Sequence, residues 1–293
     1  MVNRIDFERQ EIKDFFNSLK LEYDVIRLVD PVTRKICYPQ SCEGEICHEI
    51  WLRCERCENC TSLRAFRDKG RAYKLEILKD EVFWVTSRYI RIDGQQFVLE
   101  LVKNVTKNFI INSKQSDKLA EVIETYNLEL ISDPLTGVYN RRFLDDNFIP
   151  SVIYSNYKII NLAVIDIDNF KHINDMYGHL MGDEILTKIG GCLKANFDQR
   201  DREYERIAVR YGGDEFLIIT TNLAKLEFQK QMDKVQQTIE SAEFRVEEHL
   251  SLGITYGLIS SQDFKEELTF AQLFDIADQK MYEKKREKKQ GRK

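Results

Sequence analysis

One short stretch, "YGGDEF" at residues 211–216, most constrains how this chain can fold. It lies between the apolar runs "RIAVR" and "LIIT", and two glycines in that position predict a β-hairpin whose tight turn uses positive backbone φ angles. Two acidic residues, Asp214 and Glu215, directly follow the glycines. Adjacent carboxylates repel one another, more strongly where water is excluded. Since a turn alone does not need them, the hairpin tip is a candidate functional site; polar decoration of a simple turn is the alternative.

A second pair of carboxylates ends another apolar run. "NLAVIDID", residues 161–168, predicts a buried strand, and alternation along a strand points Asp166 and Asp168 the same way. Hard divalent cations take such oxygen ligands and share them with phosphates. If this strand lies beside the hairpin, three or four carboxylates converge at one sheet edge, as in two-metal sites for attack at phosphorus. A solvated strand end is the alternative for this motif alone.

The second half of the chain alternates strands and helices. A helix is predicted after the Asp-x-Asp strand, with Ile185, Ile189, Cys192 and Leu193 on one face. Further helices are predicted from Leu223 to Ala242 and from Phe270, and "LSLGITYGLI" predicts another strand. We therefore predict an α/β domain of the α+β type over 132–293, with a central, largely antiparallel sheet.

The first half shows a different pattern. Residues 1–20 predict a helix, and short strands broken at Asp30-Pro31 precede a cysteine-rich, irregular stretch. "AYKLEILKDEVFWVTSRYIRI" and "QQFVLELVKNVT" then alternate apolar and polar side chains, which predicts an antiparallel set of strands. This order of elements resembles a PAS-type sensor domain, and we predict such a domain over 1–106.

Residues 107–131 contain neither Gly nor Pro and predict a helical linker between the two domains. Leu119, Ile123, Tyr126 and Leu130 are spaced by four, three and four residues, which is typical of a coiled-coil seam. A simple amphipathic helix is the alternative.

Four stretches of the second half resemble the GGDEF family, the diguanylate cyclases. They are "DPLTGVYNRRFL" (133–144), "DIDNFKHINDMYGHLMGDEIL" (166–186), "RYGGDEF" (210–216) and "ADQKMYEKK" (277–285). The resemblance implies a GGDEF catalytic domain over 132–293, with a palm-like, nucleotidyl-cyclase-like sheet flanked by helices. It also implies GTP as substrate, Mg²⁺ or Mn²⁺ as cofactor, and a homodimer. In that dimer each 3′-hydroxyl attacks the other GTP's α-phosphate, which yields cyclic di-GMP and two pyrophosphates.

The matched positions imply roles for individual residues. The implied metal ligands are Asp166, the backbone carbonyl of Ile167, Asp214 and Glu215. Asp214 and Glu215 are also the implied catalytic carboxylates, with Asp214 assisting removal of the 3′-hydroxyl proton. The implied guanine readers are Asn174 and Asp183, which suit the donors at N1 and N2 of that base. The remaining implied substrate contacts are Lys171, His179, Gly212, Gly213, Lys285 and Lys289.

Two segments depart from the family pattern. Many members carry Arg-x-x-Asp upstream of the signature as an inhibitory product site, but Glu203 and Arg206 occupy those positions here. Arg202 and Glu205 imitate the pattern one residue out of register, so we predict no product site of the usual kind. The Gly-Arg that usually follows the last-helix lysine is Lys288-Lys289 in this chain.

Five of the seven cysteines lie within 19 residues, at Cys42, Cys47, Cys54, Cys57 and Cys60. Their CxxC spacing suits tetrahedral Zn²⁺, and CxxCxxC also suits an iron–sulfur cluster. A thiol–disulfide switch and a set of unliganded buried cysteines are the alternatives.

The net charge of −5 argues against nucleic acid as a partner and against a polymerase-like use of the palm. No stretch has the length and apolarity of a membrane span, and we expect a cytoplasmic protein. The sequence thus predicts a diguanylate cyclase that is controlled by its N-terminal sensor domain. A catalytically silent GGDEF module that binds GTP is the alternative.

Overall fold

The computed structural model describes residues 5–39, 43–52, 57, 59–79, 81–106, 113–150, 157–200, 205–242 and 252–291. The chain divides into two compact units, Met1–Ile131 with Asp145–Ser155, and Ser132–Leu144 with Asn156–Lys293. Each unit is built on its own six-stranded sheet. The functional domain limits at residues 106, 131 and 132 remain predictions.

The first unit contains the predicted antiparallel strands. Its elements are β1 (Asp6–Phe7), α1 (Arg9–Leu19), β2 (Val25–Val29), β3 (Ile36–Tyr38), α2 (Thr61–Arg67), β4 (Arg71–Leu78), β5 (Glu81–Ile92), β6 (Gln95–Asn104) and α3 (Ser113–Ile131). The sheet order is β1-β5-β6-β2-β3, with β4 also on β5, and only the β1–β5 pair is parallel. The first helix is shorter than predicted, because Asp6 and Phe7 pair with β5.

Helices cover both faces of this sheet, because side chains alternate along each strand. Phe16 of α1 packs in one core cluster with Leu99 of β6. Phe66 of α2 packs in another with Val98, the neighbouring residue of β6. Helix α2 lies at the end of the stretch that was expected to be irregular, so that expectation was wrong for residues 61–67.

Helix α3 confirms a helix over the described part of the predicted linker. Ile123 is buried, whereas Tyr126 is 59% exposed. The two positions therefore do not share one exposed face, and the side chain of Leu119 lies outside the described residues. The coiled-coil seam stays a prediction.

The second unit has the predicted mixed α+β fold. Its elements are β7 (Tyr139–Asn140), β8 (Ile160–Ile167), α4 (Phe170–Tyr177), α5 (His179–Phe197), β9 (Gln199–Arg200), β10 (Glu205–Arg210), β11 (Glu215–Thr221), α6 (Lys225–Glu240), β12 (Ile254–Ser260) and α7 (Phe270–Gly291). The sheet order is β12-β8-β11-β10-β7, with β9 on β10. Every main pairing is antiparallel except β10 with β7, which confirms the largely antiparallel sheet.

Helix α7 packs closely against strand β12 at one glycine. A Cβ on Gly257 would lie 2.0 Å from the carbonyl oxygen of Ala277, so this approach requires glycine. The lysine-rich end of α7 therefore reaches the carboxyl end of β8, where Asp166 lies. Among the described helices, none is both long and apolar enough to cross a membrane.

Candidate active site

The sheet register brings the two predicted carboxylate motifs together. Asp166 lies on β8, where it pairs with Glu215 of the neighbouring strand β11 on one side and with Thr255 of β12 on the other. The backbone N–H of Ile167 donates to the carbonyl of Asp214 at 3.4 Å, which joins the hairpin tip to the strand end. The expected convergence of Asp166, Asp214 and Glu215 at one edge is thus present in the structure.

This edge disfavours negative charge. Burial raises the pKa of Asp166, the nearby Asp214 and Asp168 add to that rise, and an ion pair with Lys285 opposes it. Burial also raises the pKa of Glu215, and the charge of Asp166 raises it further. Crowded carboxylates of this kind are stabilised by a bound cation.

The glycines of the hairpin act differently from the prediction. Neither Gly212 nor Gly213 has a positive φ angle, so the predicted left-handed turn was wrong. A Cβ on Gly212 would lie 2.9 Å from a carboxylate oxygen of Glu215, whereas one on Gly213 would meet nothing within 4 Å. Gly212 therefore makes room for Glu215, and Gly213 leaves the tip open to a ligand.

The side chain of Arg210 stabilises the hairpin turn at Gly212 and Gly213. Its guanidinium donates to the carbonyl of Gly213 at 2.7 and 3.1 Å and pairs with Asp133 at 3.0 Å. Asp133 also accepts hydrogen bonds from the backbone and hydroxyl of Thr136 at 2.9 and 2.7 Å. Burial opposes ionisation of Asp133, but these bonds hold its pKa below the ordinary value. Sequence reasoning missed this pair, because its members are 77 residues apart.

The two predicted guanine readers lie on consecutive helices. Asn174 is on α4 and Asp183 is on α5, and the chain turns between them at Gly178, whose φ is 82°. A Cβ on Gly182 would lie 2.0 Å from Oδ1 of Asn174. Within the described residues that buried oxygen has no hydrogen-bond partner, whereas Asp183 is exposed. An orphaned acceptor beside an exposed carboxylate suits a ligand edge that carries several N–H donors.

A cleft of about 420 Å³ lies next to the carboxylate edge. It is lined by Ile167, Asp168, Asn169, Phe170, Lys171, His172, Asp175, Asp214, Lys285, Lys288 and Lys289. Four predicted site lysines and carboxylates, namely Lys171, Asp214, Lys285 and Lys289, therefore share one cleft. His179 does not line it and is exposed at the start of α5.

Lys288 is a cleft residue that sequence reasoning did not select. Its ammonium donates to Asp168 Oδ2 and to the carbonyl of Ile254, both at 2.9 Å. The hydroxyl of Thr255 donates to the other oxygen of Asp168 at 2.6 Å. A Cβ on Gly253 would lie 2.9 Å from Asp168 Oδ2, so a glycine there admits this carboxylate. The signal that could have identified Lys288 is the departure from the family pattern, in which Lys288-Lys289 replaces the usual Gly-Arg.

Across the described residues, no group of three His, Cys, Asp or Glu side chains is arranged to hold a metal ion. At the carboxylate edge the donor set still fits a hard cation, since Asp166, the Ile167 carbonyl, Asp214 and Glu215 are all oxygen donors. The ammonium of Lys285 pairs with the Asp166 carboxylate in this structure, so a bound cation would displace that ammonium.

The cysteine cluster is described only in part. Cys42 and Cys54 lie outside the described residues, as do Glu203 and Arg202 of the product-site prediction. Cys47, Cys57 and Cys60 line one small cavity of about 20 Å³ together with His48. Burial strongly raises the pKa of the Cys47 thiol. The metal site at the cysteines and the absence of an inhibitory product site both remain predictions.

Comparison with known proteins gives a consistent match for the second unit. The family described as "Diguanylate cyclase, GGDEF domain" matches residues 130–291. Diguanylate cyclase DosC of Escherichia coli (strain K12) is 32% identical over 162 residues, which are 54% of this chain and 34% of DosC. Diguanylate cyclase DgcZ of the same strain is 30% identical over 200 residues, 66% of this chain and 65% of DgcZ. The chain thus spans about a third of DosC.

A solved structure shares the fold. The coiled coil and GGDEF domain of DgcB from Caulobacter crescentus, in complex with c-di-GMP, aligns with a TM-score of 0.50 and 24% identity. The alignment covers 59% of this chain and 90% of that one. Its likeness supports the fold of the second unit.

Proposed function

Since the chain belongs to the family of diguanylate cyclase GGDEF domains, we propose that it condenses two GTP molecules into cyclic di-GMP and two pyrophosphates. One observation carries this proposal: the carboxylates of β8 and the hairpin adjoin a cleft lined by four lysines. Lysines neutralise phosphate charge, and the carboxylates suit a metal that shares phosphate oxygens.

In this proposal Asp166, the Ile167 carbonyl, Asp214 and Glu215 hold Mg²⁺ or Mn²⁺. When bound, the metal neutralises the carboxylates and the triphosphate and polarises the phosphoryl oxygens. Asp214 then lies at the open hairpin tip, where it can accept the proton of an incoming 3′-hydroxyl. Glu215 is the second catalytic carboxylate.

The lysines orient the triphosphate. Lys285, freed from Asp166, turns to the phosphates together with Lys171 and Lys289, and Lys288 adds a further cation from the same helix. Gly213 lets the phosphates approach the hairpin backbone. Such positioning lowers the barrier by presetting the geometry of attack.

Asn174 and Asp183 select guanine over adenine. The buried acceptor of Asn174 and the exposed carboxylate of Asp183 match the donors at N1 and N2, and adenine presents no N2 amine. A pocket with buried acceptors discriminates strongly against a base that leaves them unpaired. This supports GTP as the substrate.

The reaction needs two copies of the chain. One domain holds one GTP, so the 3′-hydroxyl must meet the α-phosphate of a GTP held by a partner domain. We propose that residues 1–106 form a PAS-like sensor, that 107–131 transmit its state, and that 132–293 form the catalytic domain. Any signal that changes the relation of two α3 helices then changes the rate.

The cysteines carry a separate proposal, a zinc ion or an iron–sulfur cluster in the sensor. The shared cavity of Cys47, His48, Cys57 and Cys60 supports it. Elemental analysis of purified wild type and a Cys57→Ser variant tests it, with Cys192→Ser as the control. Absence of both zinc and iron from the wild type rules it out.

The decisive experiment for the cyclase is product analysis with GTP and Mg²⁺. Wild-type protein is expected to form cyclic di-GMP, and an Asp214→Ala variant is expected to form none while keeping its fold. If the wild type binds GTP without forming product, residues 1–106 are replaced by a constitutive dimeriser. Continued silence then identifies a binding module instead of an enzyme.

A further inference from the structure

The two aspartates of the Asp-x-Asp motif have different surroundings. Asp166 pairs with Lys285 and lies beside Glu215, and it is one of the proposed metal ligands. Asp168 is not among those ligands, although it lines the cleft that adjoins them. Its side chain is only 13% exposed. A largely buried carboxylate beside a proposed phosphate site needs a physical explanation, since like charges repel.

Both carboxylate oxygens of Asp168 accept hydrogen bonds from protein donors. The hydroxyl of Thr255 donates to Oδ1 at 2.6 Å, and the ammonium of Lys288 donates to Oδ2 at 2.9 Å. The backbone N–H of Asp168 donates to the carbonyl of Gly253 at 2.8 Å. The carboxylate is therefore fixed by the neighbouring chain segment at 253–255, and it accepts from a lysine of α7 on its other oxygen.

The ammonium of Lys288 lies between two acceptors. Besides Asp168 Oδ2, it donates to the carbonyl of Ile254 at 2.9 Å. An ammonium has three N–H donors, and no further acceptor bonds this one within the part of the chain that the structure describes. Lys288 lines the cleft, and its side chain is 38% exposed. The third N–H can therefore donate to a phosphate oxygen in the cleft.

Lys285, three residues earlier on α7, is held in a different way. It pairs with Asp166, so a metal bound to that carboxylate would displace its ammonium. The partner of Lys288 is not a proposed metal ligand, so the contact with Asp168 persists when the metal binds. Ordering a long, flexible side chain on a ligand costs conformational entropy, and a side chain that is already positioned loses less of it.

We propose that Asp168 is a positioning residue of the cyclase, which directs the ammonium of Lys288 toward the triphosphate of GTP. Asp168 acts on the nucleotide only through Lys288. The inference rests on the proposed cyclase function, because it concerns how the substrate of that reaction is held. It predicts that loss of the negative charge of Asp168 weakens binding of a negatively charged ligand, which is the opposite of a simple charge effect.

Two acidic residues of the cleft give expectations of opposite sign. Asp168→Asn keeps the shape of the side chain and should raise KM for GTP about 5-fold, because Lys288 loses its charged partner. Asp175→Asn removes the same charge from an exposed residue of α4 in the same cleft. It should lower KM about 2-fold, because repulsion of the phosphates falls. Initial rates over a range of GTP concentrations, at saturating Mg²⁺, measure both. An unchanged or lowered KM in Asp168→Asn overturns the proposal.

A double-mutant cycle tests whether Asp168 acts through Lys288. Lys288→Ala should raise KM about 10-fold, and adding Asp168→Asn should raise it no further, because the positioned lysine is already gone. Independent effects would multiply to about 50-fold. That outcome, which a general disturbance of the fold would also produce, overturns the proposal.

A metal titration separates this role from metal binding. The Mg²⁺ concentration that gives half-maximal activity should be the same for Asp168→Asn and the wild type. A higher requirement in the variant would make Asp168 a metal ligand and overturn its positioning role.

A substrate analogue separates this inference from the cyclase proposal. Calorimetric titration with 3′-deoxy-GTP, which lacks the attacking hydroxyl, measures nucleotide binding without turnover. The dissociation constants of the variants should show the same ratios as their KM values. If the wild type binds the analogue but forms no cyclic di-GMP from GTP, the cyclase proposal fails, and equal affinities of Asp168→Asn and the wild type would overturn the positioning role separately. Absence of binding by the wild type overturns both.

Discussion

Two regions of this molecule bury charged groups in opposite ways. In the first unit Arg27 pairs with Glu100 and Lys74 with Glu76, and every one of these side chains is at most 6% exposed. At the carboxylate edge of the second unit, Lys285 and Lys288 pair with Asp166 and Asp168 but remain 24% and 38% exposed.

The difference separates a structural cluster from a site. The pairs of the first unit are matched in number and sealed from water. At the edge, Asp214 and Glu215 join the two aspartates, so four carboxylates face two paired lysines that can move. Matched charges that are sealed from water belong to the folded core, whereas an excess of carboxylates at a partly exposed sheet edge leaves a role for a cationic ligand.

The largest expected effect comes from breaking a sealed pair. Arg27→Met should lower the free energy of unfolding of the first unit by about 3–5 kcal/mol, because the buried Glu100 carboxylate loses its ion-pair partner. Arg91→Met removes the exposed pair with Asp6 and should leave the free energy of unfolding nearly unchanged. Urea unfolding followed by the fluorescence of Trp51 and Trp84, the two tryptophans of the chain, measures both.

The corresponding change at the carboxylate edge should behave differently. Asp166→Asn should change stability by less than about 1 kcal/mol, because it relieves repulsion while it breaks a partly exposed pair. It should nevertheless abolish cyclic di-GMP formation. Circular dichroism measures the stability of Asp166→Asn. If it falls as much as that of Arg27→Met, the proposed difference between the sealed pairs and the carboxylate edge is contradicted.

A second prediction concerns the proposed guanine pocket. Gly182→Ala places a methyl group where Asn174 now lies and should reduce kcat/KM for GTP about 100-fold. Gly191→Ala, on the same helix, meets nothing within 4 Å and should leave kcat/KM unchanged while it stabilises α5 by about 1 kcal/mol. Initial rates over a range of GTP concentrations measure both. Equal activity of the two variants would show that Asn174 does not contribute to the proposed guanine pocket.

A third prediction concerns Lys288, the cleft lysine that was not selected from the sequence. Lys288→Ala should raise KM for GTP about 10-fold, because it removes one charge from the proposed triphosphate cleft. Lys284 lies on the same helix over the Tyr256 ring, with its ammonium 4.5 Å from the centroid. Lys284→Ala removes the same charge outside the cleft and should leave KM near the wild-type value. A change in kcat alone for Lys288→Ala would argue against a phosphate contact.

The smallest predicted effect is a pH dependence of opposite sign in the two regions. The raised pKa values of Asp166 and Glu215 mean that the folded second unit holds protons more tightly than the unfolded chain. Their stabilising contribution is therefore full at acid pH and lost as the pH rises through their folded pKa values. For Glu100, burial raises the pKa but Arg27, Ser62 and Lys74 outweigh it, so the pKa is lowered. Its contribution is present above the unfolded pKa and lost as the pH falls.

Urea unfolding without divalent metal, between about pH 4 and pH 7, tests this difference. Tryptophan fluorescence should show the first unit gaining stability as the pH rises, and Glu100→Gln should flatten that gain. Circular dichroism should show that the stability of the second unit rises more steeply with pH in Asp166→Asn than in the wild type, because the variant lacks the opposing contribution of Asp166. An unchanged pH slope in Asp166→Asn would mean that folding does not raise the pKa of Asp166.

Much of the second unit followed from local pattern. The apolar run before Asp166, the hairpin at 211–216 and the helix from Phe270 all lie where alternation, glycine and helical spacing predicted them. The convergence of the two carboxylate motifs was also predictable, because buried neighbouring strands of one sheet share their ends. The positive φ angles predicted at Gly212 and Gly213 were wrong. A local pattern did not reveal that Arg210 donates to the carbonyl of Gly213 within the turn.

The sequence by itself determined which residue types stand at the end of each strand, since burial and turn formation depend on near neighbours. Only the tertiary structure decided which lysine of α7 meets Asp168, that Arg210 meets Asp133, and that Cys47 lies with Cys57 and Cys60 around one cavity. The two lysine and arginine contacts join segments far apart in the chain, and the cysteines meet across a stretch without a regular repeat of strand or helix. They depend on how closely helices approach the sheet, as at Gly257, and that distance is set by the packing of the whole core.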